Sequence, residues 1–164
     1  MIVRGMKQVF KYILFYQIGG LLYYYIEVLF RGNSHWSMYI LGGLCFIFCS
    51  VQNEDAAWQA PLWRQVLRCV LFVTAGEFVT GCMVNLWLGW NVWDYSSVPF
   101  NMLGQICLPY AFLFSGLCLV AIVLDDYLRY FCFGEEKPSY YWLTALKEEQ
   151  ETVGLEETIR AGRG

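Results

Sequence analysis

The chain has 164 residues, of which 58% are hydrophobic, 19% are aromatic and only 15% are charged, and its formal net charge is −3. A soluble domain contains about 45–50% apolar and about 25% charged residues, so this composition predicts a membrane protein and argues against an ordinary soluble domain. Neither a basic patch nor a nucleic-acid-binding motif occurs, which excludes nucleic acid as a partner.

Four apolar runs predict four transmembrane helices. The first, residues 9–30, has 22 residues and is long enough to cross a hydrocarbon core of about 30 Å at about 1.5 Å per residue. The second, residues 36–51, has 16 residues and lies at the lower limit, so a re-entrant or interfacial segment is the alternative. The third and fourth runs cover residues 66–88 and 106–124.

Small residues recur inside these runs. The pairs Gly19-Gly20 and Gly42-Gly43 allow helix backbones to approach closely in lipid, and they predict helix packing within one chain or between two copies. The seven cysteines form no C-x-x-C pair, and we interpret them as small core residues rather than as disulfide or metal ligands.

Lysine and arginine are distributed unevenly. Three lie at the N-terminal end, one in the first connection, two in the second, none in the third and five after the fourth run. Because positive charge accumulates on the cytoplasmic side, this alternation predicts four spans with both termini in the cytoplasm. We expect residues 1–133 to form a transmembrane domain and residues 134–164 a soluble acidic tail, with a short surface helix over 140–152.

A polar and aromatic segment, residues 85–108, separates the third and fourth runs. It combines three tryptophans with an acid, side-chain amides, a proline and two glycines. Rigid aromatic residues of this kind accumulate at the membrane interface, and irregular backbone at that depth must be buried in protein or face water. The segment is therefore predicted to be a folded interfacial element.

Glu77 lies near the middle of the third run. A carboxylate at that depth costs about 2.5–3.5 kcal/mol on insertion scales, so it must be protonated, paired or exposed to water. It is a candidate for a proton- or cation-responsive site. The alternative is a structural carboxyl group that is hydrogen-bonded to Gln17 or Gln105.

Further polar residues are expected at the outer ends of the helices. Glu27 and Arg31 have a spacing that places them on one helix face as an ion pair, with the Tyr23 hydroxyl as a further donor. Asp94 is either a turn residue or a partner of Arg31. His35 is the only histidine, which makes a metal site a poor interpretation. Glu27, His35 and Asp94 on the outer side are an alternative acid–base set for a membrane enzyme.

The string Trp93-Asp94-Tyr95-Ser96-Ser97-Val98-Pro99-Phe100-Asn101, followed by Gly104-Gln105-Ile106-Cys107-Leu108, carries a family resemblance. It resembles the signature of bacterial integral-membrane proteins labelled putative ABC-transporter type IV, or putative ABC transporter permease. With Glu77, Arg31-Gly32 and Gly42-Gly43, the resemblance covers about residues 10–135. Gln105 stands where many members have arginine, which removes an anion contact. The chain has no G-x-x-x-x-G-K-[ST] loop, so an ATPase would be a separate polypeptide.

Together these features predict an all-α, multi-pass protein of the bacterial inner membrane, with four transmembrane helices. We expect it to bind a small or amphiphilic solute in an outward-facing polar and aromatic cavity, as a transporter or permease-like subunit without a cofactor. It would act as a homodimer, or with a separate ATPase or another soluble partner. The alternatives are an integral-membrane enzyme and a non-catalytic scaffold or regulator. The expected ligand-binding residues are Glu27, Arg31, His35, Glu77, Asn85, Trp93, Asp94, Tyr95, Asn101 and Gln105.

Overall fold

Four long helices dominate the molecule, and the computed structural model describes residues 2–56 and 60–140. The helices are α1 (Ile2–Arg31), α2 (Trp36–Ala56), α3 (Leu62–Gly81) and α4 (Leu108–Leu128). A π-helical stretch continues α3 through Cys82–Trp87, and a second one continues α4 through Arg129–Phe133. The predicted all-α, polytopic fold is confirmed.

Three stretches are long and apolar enough to cross a membrane, namely Met6–Arg31, Leu62–Trp87 and Leu108–Phe133. The apolar part of α2 is shorter, Trp36–Gln52. The whole of α2 nevertheless has 21 residues, which is about 31 Å at 1.5 Å per residue, because the polar turn after Val51 continues the helix. Complete crossing by α2 remains a prediction.

The predicted end of the fourth span at Leu124 is wrong. Helix α4 continues through Asp125 and Asp126 to Leu128, and the π-helical stretch carries it to Phe133. Asp125 is fully buried, and its Oδ2 lies 3.0 Å from Nε of Arg129, one turn further on. Because the two charges compensate each other on one helix face, they extend the helix instead of ending it.

The paired glycines bring α1 and α2 together. A Cβ atom on Gly19 would collide with Cβ of Phe46, and one on Gly42 would collide with Cβ of Tyr23. An added Cβ on Gly20 would lie 2.7 Å from the carbonyl oxygen of Tyr39. Close packing is therefore possible only without side chains at these positions, which confirms the packing prediction for helices of one chain.

The core lies between α2, α3 and α4, and α1 packs mainly against α2. All seven cysteines are free, and five of them are buried. The Sγ atoms of Cys49 and Cys69 are 3.0 Å apart in the centre of the core. The interpretation of the cysteines as small core residues is confirmed for these five, whereas Cys82 is partly exposed and Cys132 is exposed.

Residues 88–107, called here the hairpin segment, connect α3 to α4. They contain two short strands, β1 (Asn101–Met102) and β2 (Ile106–Cys107), which pair antiparallel with Asn101 opposite Cys107. The segment lies beside Arg31, because an Arg31 nitrogen donates a hydrogen bond to Val92. We call this side of the bundle the hairpin end. The opposite side, where Lys11 contacts Glu135, is called the tail end.

Residues 134–140 follow α4 without helical structure. The tail beyond them, and with it nearly all of the predicted helix over 140–152, lies outside the described residues. The division into a transmembrane domain and a soluble tail therefore stays a prediction.

Candidate functional site

The predicted pair of Glu27 and Arg31 is present at the hairpin end of α1, where Arg31 Nη1 contacts Glu27 Oε1. The other carboxylate oxygen accepts a hydrogen bond of 2.5 Å from Oγ of Ser34, so Ser34 and not Tyr23 is the hydroxyl donor. Arg31 Nη2 also donates to the carbonyl oxygen of Val92 at 2.6 Å. Each oxygen of the Glu27 carboxylate thus has a partner, and Arg31 ties α1 to the hairpin segment.

Glu77 is buried in α3, with 2% of its surface exposed. Its Oε1 accepts a hydrogen bond of 3.3 Å from the hydroxyl of Tyr95 in the hairpin segment. The two expected partners of Glu77 form other hydrogen bonds. Gln17 accepts from the hydroxyl of Tyr39. Gln105 donates to the carbonyl oxygen of Leu103 and accepts from Asn85. Burial and the neighbouring Glu77 carboxylate raise the pKa of Tyr95 well above its usual value, so Tyr95 remains a hydroxyl donor.

Tyr95 also stacks on Tyr110 of α4, with ring centroids 4.7 Å apart and planes inclined by 22°. Offset stacking of this kind adds to the stability gained by burying the rings. Tyr95 therefore contacts α3 through its hydroxyl group and α4 through its ring.

Two buried amides hold the hairpin segment on α3. Asn85 lies in the π-helical stretch, where its Oδ1 accepts from the backbone N–H of Val92 at 2.7 Å and its Nδ2 donates to Oε1 of Gln105 at 2.8 Å. Trp93 is also buried, and its Nε1 donates to the carbonyl oxygen of Gln105 at 2.9 Å. These three residues form hydrogen bonds inside the protein, and their predicted role in binding a ligand stays a prediction.

The turn of the hairpin segment is held by short polar side chains. Asp94 Oδ1 accepts from the backbone N–H of Ser96 at 2.8 Å and from its Oγ at 2.5 Å. These hydrogen bonds lower the pKa of Asp94. Asn101 donates to the carbonyl oxygen of Val98 at 2.8 Å and accepts from the N–H of Gly104 at 3.1 Å. Asp94 is thus the turn residue of one sequence alternative, not the partner of Arg31.

Gly104 completes this turn. Its φ of +70° is one that residues with a side chain rarely adopt. A Cβ atom there would lie 2.5 Å from Oγ of Ser96 and 2.7 Å from Oδ1 of Asp94. The turn therefore requires glycine for two independent reasons.

A cavity of about 330 Å³ opens between α1, α4 and the hairpin segment. Its polar lining consists of Glu27, Arg31 and three tyrosines, Tyr23, Tyr95 and Tyr110. The remaining lining residues are apolar: Ile26, Phe30, Pro109, Leu113, Phe114 and Leu117. We call it the hairpin-end cavity.

His35 lies apart from this cavity, in an aromatic cluster. Its ring centroid is 5.1 Å from that of Trp36 and 5.3 Å from that of Trp90, and its Nδ1 is 2.8 Å from Oγ of Ser37. No hydrogen bond or ion pair within the described ranges joins His35 to Glu27 or Asp94, so the acid–base set of the enzyme alternative is not assembled.

Of the ten residues predicted to bind a ligand, the structure places three on the cavity wall, Glu27, Arg31 and Tyr95. Glu77 lies behind this wall, in contact with Tyr95. The others stabilise the hairpin segment or, for His35, the neighbouring aromatic cluster. In the part of the chain that the structure describes, no group of three or more His, Cys, Asp or Glu side chains is arranged to hold a metal ion.

A buried ionic cluster at the tail end was not predicted. Arg129 donates through Nη2 to the carbonyl oxygen of Ser50 at 2.6 Å and to its Oγ at 2.9 Å. Its Nη1 is 3.2 Å from Oε2 of Glu135, and the other oxygen of Glu135 accepts from Lys11 at 2.9 Å. The cluster joins α1, α2, α4 and residues 134–140. The one sequence signal for it was the spacing of four between Asp125 and Arg129.

Tyr140 adds a second contact between the tail and α4. Its hydroxyl donates to Oδ2 of Asp126 at 2.9 Å. Burial and the nearby Asp126 carboxylate raise the pKa of Tyr140, which keeps the hydroxyl protonated as a donor. The start of the tail is therefore attached to the bundle by one carboxylate and one phenol.

Comparison with known proteins yields one finding. Residues 12–132 match the model of the family described as "Putative ABC-transporter type IV". No curated protein matches the chain, and no solved structure does. The matched range includes α2, α3, α4, the whole hairpin segment and the part of α1 from Tyr12 onward. The chain belongs to the "Putative ABC-transporter type IV" family of membrane proteins.

Proposed function

We propose that this protein is a membrane-embedded, permease-like subunit of a transport system in the bacterial inner membrane. It binds a small or amphiphilic solute in the hairpin-end cavity, between the Glu27–Arg31 pair and Tyr95. Family membership supports the transport assignment. The energy source is a separate ATPase, and a second copy of the chain is a further expected partner, because four helices rarely enclose a pathway alone.

The observation that carries the proposal is the composition of the cavity. Its volume of about 330 Å³ falls within the range of small-molecule sites, about 300–1,000 Å³. Such sites are mostly apolar, with a few polar groups that orient the ligand. One ion pair and the tyrosine hydroxyls supply those groups here.

The proposed orientation places the hairpin end outside and both termini in the cytoplasm. Arg31 is the single lysine or arginine in the two connections at the hairpin end, whereas Lys11, Arg64, Arg129 and Lys137 lie at or near the tail end. Positive charge is retained on the cytoplasmic side during insertion. The cavity then opens toward the outer face of the membrane.

Cysteine labelling in intact cells tests this arrangement. The background carries Cys82→Ser and Cys132→Ser, because these are the two cysteines that are not buried. Single cysteines are then introduced at Leu113, which lines the cavity, and at the adjacent Phe112, which is 70% exposed but does not line it. Ser97→Cys and Ser139→Cys report on the two faces of the membrane.

We expect an impermeant maleimide to label Ser97→Cys and Leu113→Cys in intact cells, to label Phe112→Cys much more slowly, and to reach Ser139→Cys only after permeabilisation. A thiol that faces lipid stays protonated and unreactive, whereas one in a water-filled cavity ionises. Labelling of Ser139→Cys in intact cells would overturn the orientation. Equal labelling rates for Leu113→Cys and Phe112→Cys would overturn the proposal that Leu113 faces a water-filled cavity.

A further inference from the structure

A second cavity adjoins the hairpin-end cavity and lies deeper in the bundle. Its volume is about 180 Å³, and it shares Tyr23, Ile26, Phe114 and Leu117 with the first cavity. Apart from Tyr23, every residue that lines it is apolar, a glycine or a cysteine. We call it the mid-bundle cavity. We refer to the two adjoining cavities together as the channel; its lining is polar at the hairpin end and apolar below it.

The length of this channel follows from α4. The lining residues on α4 run from Pro109 in the first cavity to Leu124 in the second. Fifteen residues of α-helix rise by about 22 Å, which is more than half of a hydrocarbon core of about 30 Å. The channel is therefore as long as one alkyl chain of a membrane lipid.

The polar end of the channel offers hydrogen-bond donors on Arg31. Both oxygens of Glu27 are occupied, by Arg31 and by Ser34. A guanidinium group carries five N–H donors, and the two hydrogen bonds that Arg31 makes among the described residues, to Glu27 and Val92, leave three. The Arg31 side chain is 32% exposed. Such a group favours an anion that accepts two parallel hydrogen bonds.

We propose that the two cavities form one site for a single-chain amphiphile with an anionic headgroup. The headgroup binds the free N–H groups of Arg31, and the alkyl chain lies along Phe114, Leu117 and Ala121 of α4. The volume of about 330 Å³ lies at the small end of the range for ligand sites and the volume of about 180 Å³ lies below it, which favours one chain over two. This inference rests on the proposed function, since it names the class of solute.

Three probes with the same sixteen-carbon chain test it: palmitate, a palmitoyl lysophosphatidylglycerol and hexadecanol. Each is titrated into the purified protein in non-ionic detergent, and the shift in melting temperature gives an apparent Kd. We expect at least one anionic probe to bind about tenfold more tightly than hexadecanol, which is the effect of one charge-assisted hydrogen bond. Binding of the phosphate probe alone identifies a lipid source, and binding of palmitate alone identifies a free fatty acid.

Variants separate the two parts of the site. Ala121→Trp fills the mid-bundle cavity and should weaken the binding of all three probes. Phe112→Trp, at an exposed position of the same helix, should leave the binding of all three unchanged. The double variant Glu27→Gln, Arg31→Gln removes both charges together and should abolish the preference for the anionic probes, so that the anionic probes and hexadecanol bind with similar affinity.

Equal binding of hexadecanol and the anionic probes to the unaltered protein would overturn the assignment of the headgroup. Absence of binding by every probe, with a native dimer that Ala121→Trp converts to a monomer, would show that a second copy fills the groove. In both cases outside labelling of Leu113→Cys would still support the proposed function. Failure of that labelling would instead remove the proposed function itself.

Discussion

Asn85 is predicted to be the residue on which the hairpin segment most depends, and Asn85→Ala tests this. The side chain accepts from the backbone N–H of Val92 and donates to the side-chain oxygen of Gln105. Asn85 and Gln105 are 7% and 3% exposed, so water cannot replace the lost partner freely. The substitution leaves one donor and one acceptor without hydrogen bonds.

The expected magnitude follows from these two groups. An orphaned buried donor or acceptor costs about 1–3 kcal/mol, so two of them should lower the free energy of unfolding by about 2–6 kcal/mol. The matched control is Asn33→Ala, which removes the same side chain from an exposed position of the connection between α1 and α2. Substitutions at such surface positions change stability by about 0.5 kcal/mol or less.

The assay is unfolding in detergent, followed by tryptophan fluorescence. Trp93 is buried and donates to the carbonyl oxygen of Gln105, so its emission reports on the hairpin segment in a background in which the other tryptophans of the chain are replaced by phenylalanine. A shift to longer wavelength at lower denaturant concentration is expected for Asn85→Ala alone. If Asn85→Ala and Asn33→Ala were equally stable, the amide contacts would not hold the segment and the reasoning would be refuted.

Three further predictions concern other parts of the molecule. Gly104→Ala should destabilise the protein by at least about 2 kcal/mol, because φ is +70° and the new Cβ meets Ser96 and Asp94; Gly116→Ala, where nothing lies within 4 Å, should be neutral or stabilising in the same thermal melts. Glu77→Gln should melt above Glu77→Ala, because the amide oxygen still accepts from the Tyr95 hydroxyl; equal melting temperatures would contradict that contact. Glu135→Ala should lower the free energy of unfolding by about 1–2 kcal/mol, which is less than the loss of a fully buried ion pair, because Glu135 is partly exposed. Glu136→Ala, at the adjacent exposed position, is the control, and an equal effect of the two substitutions would argue against the cluster.

The sequence predicted the helices well because apolar runs and charge are direct signals of membrane spans. The glycine pairs and the Glu27–Arg31 pair depend on helical periodicity, and the structure confirms both. The hairpin segment was also recognised as folded. Its partners were not recognised, since the bond from Asn85 to Gln105 joins residues that are twenty positions apart and follows from the π-helical stretch.

The tail-end cluster shows the limit of reading charge along the chain. Asp125, Asp126 and Arg129 resemble the polar end of a span in sequence. In the structure they are buried, because Ser50 and Glu135 approach from other parts of the chain and satisfy Arg129. Only the tertiary contacts distinguish a buried charge that is paired from an exposed one that ends a helix.

The proposed site requires the hairpin segment to be a fixed wall of the cavity. The rate of amide hydrogen exchange in this segment measures directly whether it is fixed. The N–H groups of Val92, Tyr95 and Gly104 each donate a hydrogen bond, to Asn85, Gly104 and Asn101 respectively. We expect these amides to exchange at least about a hundredfold more slowly than in an unstructured peptide of residues 88–107, because each must open a hydrogen-bonded turn before it exchanges. Exchange of all three at the rate of the peptide would show that the segment is a loose connector, and the cavity and its proposed ligand would then lose their wall.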